Sequence, residues 1–282
     1  MTAIVLYGLR ESLRRKMFAV VLVLTVAFLG LYAWGVHAAF KDTTGFIGPN
    51  DQQLDPNVIA GATVLGLAMF ATLFLGAVLS VFLTLNTVRG DAEAGLLQPL
   101  VVRPIGRAQL LLARFAGAAG VAAVYVAIVY SASVVITRWA GDWTPDRIVS
   151  PGLELAGAVV VVAALALAGS VFFQPIANGI GTLMVFGAGL TSGLLGEIGH
   201  AIHSGRLQHI ARIAWWVFPF DALYEDALHR LTIDTTGFAA FVLTLGPFGG
   251  SHHAGAPLVA WSVGYLALVG AAALLAFARR DL

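Results

Sequence analysis

The chain has 282 residues, of which 59% are hydrophobic and 11% charged, with a formal net charge of +1 and no cysteine. Soluble domains usually carry about 25% charged residues. With a mean hydropathy of +0.88, this chain has too little polar surface to cover a water-soluble globule, whereas a lipid-facing surface needs none. The absence of cysteine excludes disulfides, thiolate metal sites and cysteine nucleophiles. No nucleic-acid partner is expected.

The first element, residues 1–16, is amphipathic. Leu6, Leu9, Leu13 and Met17 fall on one helical face, and Arg10, Arg14 and Arg15 point elsewhere. Such a helix lies flat as an elbow at the inner interface, its cations near anionic lipid; the other reading is a plain extension of the first span. The apolar run that follows is longer than the apolar region of a signal peptide, so a signal anchor is expected.

A span needs roughly 20 apolar residues, and six stretches qualify: Met17–Val36, Val58–Val88, Phe115–Thr137, Leu155–Phe173, Ile176–Gly196 and Ala254–Ala278. The second exceeds what a bilayer requires and is expected to tilt or protrude. The fifth is rich in glycine, and Gly189 and Gly193 form a GxxxG pair. Such a pair admits close helix approach, either to a second copy of the chain or within one copy. Between spans five and six, residues 197–253 are not fully polar. Trp215, Trp216, Phe218 and Phe220 surround Pro219, and tryptophan favours the headgroup level. Residues 237–250 are apolar but too few to cross. Both pieces read as interfacial or re-entrant helices packed on the bundle, with a buried seventh element as the alternative. The expected fold is all-α, a single polytopic membrane domain over residues 1–282.

Lys and Arg near the span ends set orientation. With a cytoplasmic N-terminus, ten of the 16 Lys and Arg residues lie inside, and both termini are cytoplasmic. The uncharged turn at 174–178 labels this topology least.

The spans hold no Asp, Glu, Lys, Arg or His at their centres, which argues against a proton-coupled transporter. The only lysines, Lys16 and Lys41, do not follow a glycine, so there is no P-loop. No Rossmann fingerprint, HExxH or GxSxG occurs either. No catalytic residue and no cofactor is assigned to the chain, and energy for any uphill movement must enter from outside the bilayer. All seven histidines fall on the outer side. Glu197, His200 and His203 lie roughly along one helical face and read either as ligands for zinc or copper or as plain interfacial side chains; no metal ligand is assigned.

The inner loop at 89–114 reads RGDAEAGLLQPLVVRPIGRAQLLLAR. Asp91 and Glu93 suit a helix N-terminus, and Gly95 permits close backbone approach. Leu96, Leu97 and Leu100 offer an apolar face, and Pro99 and Pro104 break the helix. Arg103, Arg107 and Arg114 follow. An exposed leucine face on such a loop makes a docking knob for a soluble partner; the equal alternative is a hairpin tucked under the bundle with its arginines on lipid phosphates.

The segment resembles that of ABC-2 type permeases, the membrane subunits of ATP-binding-cassette exporters. Glu93, Gly95, the LLQPL run and the RPIGR run carry the likeness. Around them lie the elbow RESLRRKMF, six spans, the WWVFPFDALYEDALHRL segment between spans five and six, and the ending FARRDL. That ending resembles the subgroup that includes the permease for nitrous-oxide reductase maturation. The resemblance implies two permease copies paired with two copies of a separate ATPase that holds ATP and magnesium. Glu93, Gly95, Leu96, Leu97, Pro99, Arg103, Pro104 and Arg107 would form the coupling loop. The cargo would be hydrophobic or amphiphilic, since only aliphatic groups and a few hydroxyls line the spans. With four residues after span six, no fused ATPase domain is expected. The alternative function is a membrane scaffold that recruits a different cytoplasmic partner through the same loop.

Overall fold

The computed structural model describes residues 16–41, 56–85, 106–141, 143–145, 147–232 and 255–279. They form eight helices and no strand: α1 Lys16–Lys41, α2 Pro56–Thr84, α3 Arg107–Gly141, α4 Val149–Phe172, α5 Pro175–Ala201, α6 Gly205–Val217, α7 Pro219–Thr232 and α8 Gly255–Ala278. Six of them, all but α6 and α7, are long and apolar enough to cross a membrane. They coincide with the six expected spans, as a multi-pass membrane protein requires. The elbow residues Leu6, Leu9, Arg10, Leu13, Arg14 and Arg15 lie outside the described residues, as do Glu93, Gly95, Leu96, Leu97, Pro99, Arg103 and Pro104 of the inner loop.

The third span differs most from its expected bounds. Its helix starts at Arg107 rather than Phe115, with the Leu110 N–H donating to the Gly106 carbonyl at 3.1 Å. The run from Ala108 to Ala113 is built of strong helix formers, so the end of the inner loop is already collinear with the span. The uncharged turn between spans four and five closes a tight hairpin. Phe173 N–H bonds the Gly169 carbonyl at 2.9 Å, Gln174 is extended, and Pro175 opens α5 with its φ preset for a helix. Asn178 Nδ2 donates to the Ala166 carbonyl at 2.8 Å and occupies the space a Cβ at Gly169 would fill.

Successive long helices alternate in direction, and α2, α3 and α4 form the centre. Leu65, Met69, Leu73, Val126, Leu155 and Val159 are buried there. At Gly76 a Cβ would stand 2.9 Å from Val159 and 3.2 Å from Val126, so glycine sets the approach of α2 to both neighbours. α1 joins α3 through hydrogen bonds of 2.6 Å between Thr25 and Tyr125 and between Tyr32 and Thr137. α1 and α8 are peripheral and present apolar side chains outward, among them Val23, Val26, Val263 and Leu268. An outward apolar face is what lipid requires and water does not permit.

Candidate functional site in the α6–α7 hairpin

The sequence segment 205–232 folds back into the bundle. α6 runs antiparallel along α5: a Cβ at Gly199 would crowd Leu207, one at Gly196 would touch Ala211, and Phe218 lies against Gly189. Ten residues of α5 separate Gly199 from Gly189, about 15 Å of helix. The turn at Phe218–Pro219 therefore sits beside the middle of α5. α7 returns from it, beginning with Phe220, whose ring stacks on Phe186 at 5.5 Å. Its burial is complete along the first turns: every residue from Pro219 to Leu228 is buried. α7 packs most extensively on α4, with Leu223 against Gly157, and it meets α2 through Leu228 against Gly66 and Tyr224 edge-on to Phe70. α7 is buried in the bundle, and α6, which has no buried residue, packs outside it.

This placement takes acids into the protein interior. Arg230 bridges two of them. Its Nε lies 2.6 Å from Glu154 Oε1 of α4 and 3.1 Å from Asp226 Oδ2, and its Nη2 lies 3.0 Å from the same Asp226 oxygen. Asp226 is fully buried, while Arg230 keeps a partial opening to the surface. Asp226 and Arg230 stand at i,i+4 spacing on one helix; the third member, Glu154, belongs to another helix.

One turn earlier on α7, Asp221 and Glu225 face a different space. A cavity of ≈ 310 Å³ opens between α5, α6 and α7, lined among others by Ser192 and His200 of α5, Arg212, Trp215 and Trp216 of α6, and Asp221 and Glu225 of α7. The absence of a side chain at Gly193, which also lines it, contributes to the opening. Asp221 is 1% exposed. Its Oδ1 has no hydrogen-bond partner among the described residues. Its Oδ2 lies 3.4 Å from Ser192 Oγ, whose proton is held at 2.6 Å by the Gly189 carbonyl. Burial, then the nearby Glu225 carboxylate, push the Asp221 carboxyl well above its ordinary range, and the Ser192 contact opposes them only weakly. The two causes are distinct, loss of water around the charged form and repulsion by a like charge, and both disfavour the carboxylate. The Trp215 Nε1 is likewise buried without a partner.

Of the pair Gly189 and Gly193, Gly189 receives Phe218 and Phe220 of the same chain, and Gly193 faces the cavity. Arg107 opens α3. His200 lines the cavity, His203 stands at the α5–α6 turn with a left-handed φ of 54°, and the Glu197 side chain lies outside the described residues. Among the described residues no three His, Asp or Glu side chains converge as metal ligands would. The sequence reading missed the acidic pocket because it placed 215–231 at the interface, where acids are hydrated. The segment is amphipathic, with Asp221, Glu225, Asp226 and Arg230 on one half of the helix and Phe220, Leu223, Tyr224 and Leu228 on the other, a pattern that an interfacial helix and this buried one share. Comparison with protein-family models and with curated proteins gives no match for this chain.

Proposed function

We propose that the chain is the membrane-spanning permease subunit of an ABC-2 type exporter. Two copies would pair, and a separate cytoplasmic ATPase would bind ATP and magnesium and drive them. The observation that carries this reading is the order of elements: six apolar helices with a short two-helix hairpin folded back between the fifth and the sixth. The inner-loop sequence from Glu93 to Arg107 resembles the family's coupling segment at the matching place in that order. In this reading both termini are cytoplasmic, the elbow lies on the inner leaflet, and the α6–α7 hairpin is re-entrant from the outer side. The cargo is hydrophobic or amphiphilic, in keeping with apolar faces that carry only scattered hydroxyls.

The test is co-purification with an ATP-binding-cassette ATPase encoded beside this chain. Replacing Glu93 and Leu96 together by Arg should abolish co-purification while the variant still inserts in the membrane. Undiminished co-purification would refute the assignment of the loop, and a periplasmic or external location of a reporter placed at residue 95 would refute the topology.

A further inference from the structure

We propose that the cavity between α5, α6 and α7 binds an organic ammonium group, with the positive charge seated at Asp221 and an indole face on its wall. Three observations lead there. Asp221 is almost wholly buried, lines the cavity, and has an oxygen without a hydrogen-bond partner. An occupant that brings a cation to this oxygen offsets a desolvation cost that the protein alone leaves uncompensated. The wall beside it carries Trp215 and Trp216, and indole faces attract ammonium groups strongly once water is excluded. Third, the donors are wrong for a metal: no three ligating side chains converge among the described residues, whereas an alkylammonium needs only a carboxylate and aromatic surface. The volume of ≈ 310 Å³ is at the small end of ligand cavities, which suits a headgroup or a small amine rather than a large drug-like cation.

Two basic residues, Arg212 and His200, also line the cavity. Both are exposed, so water screens their charge, while the carboxylates act in a dry environment. This combination of charges also matches a ligand that carries an anionic group a few bonds from its ammonium. The ammonium could therefore come from a free amine or from the headgroup of a zwitterionic lipid.

The full chain, purified in a neutral sugar detergent, would be titrated with choline, tetramethylammonium, tetraethylammonium and glycerophosphocholine, with binding read by calorimetry and by tryptophan fluorescence. Saturable binding of at least one is expected, with no response to 3,3-dimethylbutan-1-ol, the uncharged isostere of choline. Asp221→Asn should weaken binding at least about tenfold while retaining the helical circular dichroism and a monodisperse elution profile. Trp215→Ala should also weaken it, whereas Trp139→Ala, on the surface of α3, should not. Glycerophosphocholine binding tighter than choline, with the advantage lost in Arg212→Gln, would identify a lipid headgroup as the source. Equal or tighter choline binding would identify a free amine. Failure of all four compounds to bind, or equal binding by wild type and Asp221→Asn, would overturn the proposal. The measurement uses the permease alone, so its outcome is independent of whether an ATPase docks on the inner loop.

Discussion

The central helices α2 and α3 and the inserted helix α7 handle buried polarity in opposite ways. In α2 and α3 four buried hydroxyls bond to their own helix. Thr72 donates to Ala68, Thr84 to Ser80, Ser133 to Val129 and Thr137 to Ser133, each to a carbonyl four residues back. In α7 the polar groups are ionisable: Asp226 and Arg230 pair with each other and with Glu154 of α4, Asp221 meets Ser192 of α5, and Asp221 Oδ1 has no hydrogen-bond partner among the described residues. A hydroxyl can be satisfied within one turn of helix, so α2 and α3 can pack as if they were apolar. A buried carboxylate needs a cation as well, so α7 depends on the tertiary structure around it and is where an external ligand has most to offer.

The contrast can be broken most forcefully at Arg230. Arg230→Met leaves Glu154 and Asp226 without their shared cation, and should cost about 3–5 kcal/mol, measured as a large fall in the thermal midpoint in detergent. The triple change Glu154→Gln, Asp226→Asn, Arg230→Met should recover much of that loss, because it removes the uncompensated charges along with the bridge. On the apolar side of the comparison, Gly76→Leu should cost about 1–3 kcal/mol by overpacking against Val159 and Val126, seen in the same melting experiment.

Asp221→Asn should act with the opposite sign. The carboxyl of Asp221 is raised by burial and by Glu225, so folding favours its protonated form. The resulting stability is fully present below the ordinary carboxylate range and is lost as pH rises through the raised folded value. The asparagine variant should be more stable than wild type near neutral pH and should show a flatter stability-versus-pH profile above about pH 4. A wild-type profile that instead rises with pH, with no gain in the variant, would mean that Asp221 is ionised and well paired. The smallest effect is expected at Thr72→Val, where a self-satisfied hydroxyl is exchanged for a methyl: below about 1 kcal/mol, within reach of careful chemical denaturation.

Much of the architecture was legible before any coordinates. Six apolar runs gave six long helices, because a 20-residue greasy segment has few other ways to satisfy its backbone in lipid. The turn at 174–178 was legible as a break, from Pro175, but its tightness rests on Asn178 reaching back to Ala166, which no local pattern announces. Gly189 and Gly193 were legible as small residues made for close contact. That Phe218 and Phe220 of the same chain come to Gly189 depends on where α6 turns. Least legible was the site. Asp221, Glu225 and Trp215 are separated from Ser192 and His200 by a helix reversal, and Arg230 from Glu154 by two intervening helices.

From its sequence alone this chain was committed to being a helical membrane body, since composition and the length of apolar runs act locally and additively along the chain. Only the tertiary structure decided that α7 lies inside that body rather than on its surface. The reason is that burial of a charged helix depends on partners supplied by other helices: Glu154 for Arg230, Gly157 and Gly66 for the leucines of α7, and Gly189 for Phe220. Such partners become neighbours only when the bundle closes.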